Sequence, residues 1–366
     1  MNFNDLFGVG IGQALLKQGI TEPTDIQFQT APDIITGIDL IAQAPTGTGK
    51  TLAYLAPLYY KLNSAERGVQ VIVLAPSYEL AAQVHKQAKL LWGNMGKTDG
   101  APCLLIGGTG VARQVEALKL KPRLVTGTPG RVLELIKLRK LKPHTVKTLV
   151  LDEGDRLLLG DSKEAIKEII KALPRDRQIL VFSATVTDKA EAAAKEYAPD
   201  AGIMRMGNKL PDSITHKAVI CKRREKLITL RSVIHNEQIK RALVFFANGA
   251  EAEHAAEQLN FHHIPAAALS ARSSSQERKT ALARLRDGAV KVLTSTDAAA
   301  RGMDIEGLDC VINADAPKDT ETYLHRAGRT GRMSQRGTAI TIATENEARR
   351  LEDIAKTLGI KINISV

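Results

Sequence analysis

The stretch Asp39-Leu40-Ile41-Ala42-Gln43-Ala44-Pro45-Thr46-Gly47-Thr48-Gly49-Lys50-Thr51 decides how the chain folds. Its first four residues read as a short strand that after Asp39 is apolar without alternation, as strands buried on both faces are. A glycine-rich turn follows, and Gly49-Lys50-Thr51 opens a helix. In a strand–turn–helix of this kind the glycines let backbone N–H groups close on phosphate oxygens. The helix N-terminus adds partial positive charge. Ala44, Thr46, Gly47, Thr48 and Gly49 form the cradle, Lys50 reaches the β- and γ-phosphates, and Thr51 holds Mg²⁺. Ala44 stands where the general pattern has Gly. The expectation is a nucleoside triphosphate site on a parallel sheet.

Outward from this loop, short β-branched runs alternate with amphipathic stretches. Further strands are expected at Val69–Ala75, Cys103–Ile106, Leu124–Thr126, Thr148–Leu151 and Gln178–Phe182, with helices such as Tyr78–Leu91 and Gly130–Lys137 between them. Strand–helix–strand repetition implies a parallel sheet with right-handed crossovers. The pattern restarts after residue 207. Strands are expected there at Ala218–Cys221, Ala242–Phe246, Lys291–Thr294, Cys310–Asn313 and Thr338–Ile342. Helices are expected at Lys226–Ile234, Ala250–Leu259, Gln276–Arg286 and Glu345–Leu358. Met206-Gly207-Asn208-Lys209-Leu210-Pro211-Asp212 is rich in breakers. The domain expectation is residues 1–207, a linker at 208–213, and residues 214–366.

A length of 366 residues fits two α/β domains. Charged residues at 25% and apolar ones at 44% exclude a disordered chain or a disulfide-stapled miniprotein. No apolar run is long enough to cross a bilayer, and the N-terminus lacks the pattern of a secretory signal. Cys103, Cys221 and Cys310 lie far apart without a CxxC pair, which suits a reducing, cytoplasmic setting and argues against zinc. The Asn363-Ile364-Ser365 sequon is therefore read as carrying no glycan. There are 51 Lys and Arg against 40 Asp and Glu, a net charge of +11. Residues 1–207 hold 26 basic and 21 acidic side chains, and residues 208–366 hold 25 and 19, so both halves are basic. A polyanion that touches both halves fits this balance, as does a solvated surface with a small excess of Lys.

A phosphate loop needs an acidic partner at the end of a neighbouring strand. Thr148–Leu151 delivers Asp152-Glu153, where Asp152 can hold Mg²⁺ through water and Glu153 can orient or deprotonate an attacking water. Three other patterns read as structural. Gly8-Val9-Gly10-Ile11-Gly12 follows no strand and is expected to be a turn. His262-His263 lacks metal-ligand spacing on a helix and is expected at the surface. Gly107-Gly108 on its own is a plain turn.

With Asp152-Glu153-Gly154-Asp155 and Ser183-Ala184-Thr185 after the loop, the order of motifs becomes distinctive. Thr296-Asp297, Arg301-Gly302-Met303-Asp304 and the run Tyr323-Leu324-His325-Arg326-Ala327-Gly328-Arg329-Thr330-Gly331-Arg332 complete it. Over residues 3 to about 342 the chain resembles the DEAD-box RNA helicases. The resemblance implies two RecA-like parallel-sheet domains in tandem, joined by a short linker, and an RNA-stimulated ATPase using ATP and Mg²⁺. It implies local, non-processive unwinding or remodelling of RNA–protein complexes, as in ribosome assembly or RNA decay. The implied protein is monomeric and cytoplasmic, without a membrane, with RNA of low sequence specificity and further proteins for targeting.

The resemblance also assigns residues. Gly19 to Gln27 matches the adenine-reading motif, with Gln27 facing the base and Phe3 as the upstream aromatic. Ile20 stands where an aromatic is usual. Pro76, Gly107, Gly108, Thr128, Pro129, Gly130 and Arg131 match RNA contacts of the first domain. Tyr78 replaces the usual Arg there. Asp155, Ser183 and Thr185 match the coupling groups, with His325 and the structural Arg326, and Gly154 replaces the usual Ala. Phe246, Arg278, Thr296 and Asp297 match RNA-side positions of the second domain. Ser275 and Ser270-Ala271 replace a Gln and a His-Gly pair. Gly302 and Asp304 match the ribose side of the ATP site, and Arg329 and Arg332 the arginine fingers. Lys50, Asp152, Glu153, Arg329 and Arg332 form the implied catalytic set. Two rivals stay open: an ATP-gated RNA clamp with little unwinding, and a DNA-translocating motor.

Overall fold

The computed structural model describes residues 2–45, 47–63, 65–108, 110–207, 210, 213–270, 273, 275–300, 308–331 and 336–365. Contacts divide the chain into two units. One comprises Met1–Ala44 and Thr48–Gly207, the other Asn208–Val366 with Pro45–Gly47.

The first unit is a seven-stranded, all-parallel sheet. Its strands are β1 (Leu40–Gln43), β2 (Val71–Leu74), β3 (Cys103–Leu105), β4 (Leu124–Gly127), β5 (Thr148–Asp152), β6 (Gln178–Ser183) and β7 (Gly202–Arg205), in the order β3-β4-β2-β5-β6-β1-β7. Successive residues of the central strands enter different cores. Val71 and Val73 of β2 join Leu40, Ala42, Val150, Leu180 and Phe182 on one face, while Ile72 and Leu74 join Ile41, Leu149, Leu151, Ile179 and Val181 on the other. Both faces are covered by helices, which is why these strands read as uninterrupted apolar runs.

The second unit repeats the plan. Its strands are β8 (Ile214–Ile220), β9 (Ala242–Phe245), β10 (Ala266–Leu269), β11 (Val292–Ser295), β12 (Cys310–Asn313), β13 (Gly337–Ala343) and β14 (Ile362–Ser365), ordered β10-β11-β9-β12-β13-β8-β14. Counting strands from the start of each unit, the two orders are the same. Ala242 and Val244 face one core, Leu243 and Phe245 the other.

Several expectations need correction. The turn expected over Gly8 to Gly12 is confined to Gly8: Phe3–Leu16 is two helical stretches joined across a kink there (φ 75°, ψ 168°), and Val9 to Gly12 belong to the second. Phe3 and Phe7 before the kink and Ile11 after it are buried in one core, and this packing holds the second stretch helical despite the weak helix propensity of its glycines. β8 begins four residues earlier than the run at Ala218 indicated, because its first half alternates buried with exposed or half-exposed residues. β7, β10 and β14 escaped the pattern altogether. Each is a four-residue outer strand; β7 and β14 are partly exposed, and β10 is Ala-Ala-Ala-Leu. The Asn363-Ile364-Ser365 sequon lies in β14, hydrogen-bonded along β8. His262 and His263 are exposed. No helix among the described residues is long and apolar enough to cross a membrane.

Candidate nucleotide and nucleic-acid site

Because all strands of the first sheet run the same way, every motif that follows a strand comes out on one edge. Ligands of open α/β sheets bind in the crevice at that edge. The phosphate loop leaves β1, Asp152-Glu153 leaves β5 and Ser183-Ala184-Thr185 leaves β6. β6 lies between β5 and β1, so its tripeptide sits between the other two motifs. Ser183 touches both sides: its carbonyl accepts the Ala44 N–H (3.0 Å), and its hydroxyl donates to Asp155 Oδ1. The remaining turns, at Pro76, Gly107-Gly108 and Thr128–Arg131, follow β2, β3 and β4 on the other half of the same edge.

The loop itself is built for close approach. Gly47 (φ 84°) and Gly49 (φ 89°) are left-handed, and a Cβ at Gly49 would lie 2.3 Å from Gln27 Nε2. Lys50 begins the helix Lys50–Lys61; it is 9% exposed, and its ammonium donates to the Ala44 carbonyl at 2.6 Å. That bond occupies the loop's own carbonyl with the cation an incoming phosphate would draw. Gln27 closes the loop from behind. Its Oε1 accepts the Thr24 N–H (3.0 Å), its Nε2 donates to the Gly49 carbonyl (3.2 Å), and Thr24 Oγ1 donates to the Thr48 carbonyl (2.8 Å). The amide expected at the adenine thus also buttresses the phosphate loop. Phe3 is 3% exposed, its ring stacked on Phe7 in the core. Thr46 lies outside the described residues.

Asp152 ends β5 at 7% exposure. Burial first, and then the neighbouring Glu153 charge, push its pKa up to about 6, against the pull of the Tyr54 hydrogen bond and Lys50. A buried carboxylate held this way favours a cation beside it. With the Thr51 hydroxyl it offers hard oxygen donors of the kind Mg²⁺ takes. Glu153 adopts φ 58°, ψ 50°, a left-handed conformation that costs a non-glycine residue of order 1–3 kcal/mol. It turns the chain sharply into the helix Gly154–Leu159, with Glu153 at the turn itself. Gly154 is buried, and a Cβ there would meet Val181 Cγ1 at 2.3 Å.

On the other half of the edge, Tyr78 is half-buried against a cluster of Ala75, Ala81 and Ile106. The Arg131 guanidinium is paired with Glu134 at 2.8 Å. Thr128 N–H donates to the Leu105 carbonyl (3.0 Å), fixing the turn that carries Pro129 and Gly130 to β3. Gln114 has a role the sequence reading missed: its buried amide bonds both the N–H (3.2 Å) and the C=O (2.8 Å) of Ile106, just before Gly107-Gly108. A lone Gln on the helix Val111–Lys119 gives no periodic signal. Tyr54, also missed, donates from its hydroxyl to Asp152 Oδ2 at 2.9 Å. The available signal was a phenol three residues after Thr51 in an otherwise apolar stretch.

In the second unit Arg326 is the organiser. At 4% exposure it grips Asp297 with two bonds of 2.7 Å, donates to Asn313 Oδ1 (3.1 Å) and the Asp315 carbonyl (2.8 Å), and lies over the Phe245 ring at 5.0 Å. It thereby ties the helix Thr320–Ala327 to the ends of β11 and β12. Asp297, expected at RNA, is the partner of this fork. Phe246 is buried in the core, and Arg278, Thr296, His325 and Arg329 are partly exposed. The expected sites at Gly302, Asp304 and Arg332 lie outside the described residues, as do Ala271 and most of the 208–213 segment.

Comparison with known proteins agrees with this geometry. Residues 24–193 match the family model described as DEAD/DEAH box helicase, and residues 225–334 the helicase conserved C-terminal domain. The chain is 43% identical to the DEAD-box ATP-dependent RNA helicase CshC of Bacillus cereus, over 95% of this chain and 89% of that protein. It is 35% identical to the DEAD-box ATP-dependent RNA helicase CshA of Bacillus subtilis, over 96% of this chain and 71% of that one. Among solved structures, S. cerevisiae Dbp5 bound to RNA and ADP-BeF3 superposes with a TM-score of 0.86 at 27% identity, covering 99% of this chain and 95% of that one.

Proposed function

Since the chain belongs to the DEAD-box ATP-dependent RNA helicases, we propose that it couples RNA-stimulated ATP hydrolysis to local separation of short RNA duplexes or remodelling of RNA–protein complexes. The observation that carries this reading is the single sheet edge. Its phosphate loop, acidic pair and Ser183 bridge occupy the β1–β6–β5 half, and three turns suited to a sugar-phosphate backbone occupy the β2–β4–β3 half.

In this reading Lys50 leaves the Ala44 carbonyl for β- and γ-phosphate oxygens, while loop N–H groups and the helix N-terminus hold the rest of the triphosphate. Thr51 and Asp152 would hold Mg²⁺, which when bound would supply positive charge against that developing on the phosphoryl group. Glu153 orients the attacking water. Arg329 and Arg332 act as arginine fingers, a contribution of about 10³–10⁵ in rate in comparable NTPases. Asp155 and Ser183 relay the state of the nucleotide to the RNA-side turns. Backbone contacts carry little sequence information, so specificity is low. RNA, ATP and the free thiols fit a cytoplasmic, monomeric enzyme, with ribosome assembly or RNA decay as its setting and other proteins supplying the target.

The test is the ATPase rate with and without single-stranded RNA, beside Arg332→Ala. Strong stimulation that the variant loses is the expected result. Equal, unstimulated rates in both proteins would overturn it. Two observations favour a second reading, an ATP-gated RNA clamp: Tyr78 packs where a phosphate-binding Arg is usual, and Arg131 is engaged by Glu134. A strand-displacement assay separates the two, since a clamp hydrolyses ATP on RNA without releasing strands.

A further inference from the structure

The helix that starts at the phosphate loop buries two phenols, and they do different work. Tyr59 donates to the Ala88 carbonyl at 2.9 Å and stacks edge-on against Trp92, fastening its helix to the next. Tyr54 is 0% exposed and points the other way, onto the end of β5. Its ring packs on Phe182 of β6 at 5.2 Å, and its hydroxyl donates to Asp152 Oδ2 at 2.9 Å.

A phenol has one proton to donate, and Tyr54 gives it to Asp152. The Asp152 carboxylate is pinned from two sides, Oδ2 by Tyr54 and Oδ1 by the Glu153 N–H at 3.1 Å. One buried hydroxyl from the helix therefore helps to orient the carboxylate at the end of the strand that is assigned to the metal.

We propose that Tyr54 is a positioning residue for the metal–nucleotide site: its hydroxyl sets the Asp152 carboxylate for a divalent cation before nucleotide arrives. The proposal rests on the ATP reading above. Outer partners of metal ligands commonly matter this much; losing one lowers metal affinity about 10–100-fold. Tyr54→Phe keeps the ring against Phe182 and removes only the hydroxyl. Tyr59→Phe removes a buried phenol hydrogen bond from the same helix without touching Asp152, and serves as the control.

The experiment follows binding of a fluorescent ATP analogue to the full chain while Mg²⁺ is titrated, and repeats it in EDTA. In Tyr54→Phe the half-saturating Mg²⁺ is expected to rise about 10–100-fold. Affinity in EDTA stays at the parent value, and excess Mg²⁺ restores turnover. Tyr59→Phe should titrate as the parent does. A Tyr54→Phe curve that overlays a Mg²⁺-dependent parent overturns the proposal and leaves the ATP reading standing. An equal shift in both variants also overturns it, since general loosening of the helix would then be the cause. A parent that binds the analogue without regard to Mg²⁺ overturns the metal assignment and this proposal together. A parent that binds no nucleotide overturns the ATP reading itself.

Discussion

Gly154 stands where the family usually has Ala, and the reason lies across the sheet in Val181. A Cβ on residue 154 would come within 2.3 Å of Val181 Cγ1, and Val181 is a buried, β-branched strand residue with little freedom to move. Glycine and valine form a matched pair: the volume the box gives up is taken by the neighbouring strand. Gly154→Ala is therefore expected to destabilise the first unit by about 1–3 kcal/mol, the usual cost of overpacking, although Ala is the better helix former. Val181→Ala in the same chain should recover part of that loss. A double-mutant cycle by urea denaturation checks this. Additive effects of the two substitutions would show that they do not share the space. The same pair bears on coupling, because Gly154 lies between the strained Glu153 and the Asp155 that Ser183 holds.

Among the elements, the helix Thr320–Ala327 depends on two buried polar anchors. Arg326→Ala leaves Asp297 and Asn313 without their partner and should cost the second unit about 3–5 kcal/mol. Arg326→Lys keeps the charge but not the planar fork, so less than half of the loss should return. Stability measured on the two variants decides this. The other anchor is His216 of β8, whose Nδ1 lies 2.8 Å from the Tyr323 hydroxyl. Burial pulls the His216 pKa down to about 4. The unfolded chain, near 6.5, then binds the proton first as pH falls. Stability from neutral His216 is full above pH 6.5, shrinks as pH drops, and is gone by about pH 4. At pH 5 the deficit is about 2 kcal/mol, and a His216→Gln variant should lack this share of the pH dependence. Denaturation midpoints of both proteins between pH 7.5 and about 4.5 measure it. These anchors also show what the sequence could express. Strands buried on both faces were legible as apolar runs, and motifs at strand ends were legible because their spacing is fixed by the phosphate chemistry. His216, Gln114, Tyr54 and the Arg326–Asp297 fork were not legible in that way. Each works through a partner from 8 to 107 residues away, and no periodicity links such pairs.

For the whole molecule, charge and topology make a joint argument about RNA. Both units are net basic, and each presents a parallel sheet of the same strand order with its motif-bearing turns on one edge. The cations behind this excess are spread along the chain. Binding should then be moderate and dominated by backbone phosphates, with counterion release as its signature. Neutralising about five phosphates of a single strand gives a slope of log K against log[salt] near −3.5. Titrating a labelled single strand at several salt concentrations, with a non-hydrolysable ATP analogue present, measures the slope directly. Base identity should change affinity little at any one salt concentration, because backbone contacts position rather than specify. Arg131→Ala should lower the slope by about 0.7, one phosphate on the single-strand scale, if the guanidinium leaves Glu134 for the RNA. An unchanged slope in that variant would mean that the Arg131–Glu134 pair stays closed on RNA, and the backbone grip would then rest on the turn N–H groups of Gly107, Gly108 and Gly130.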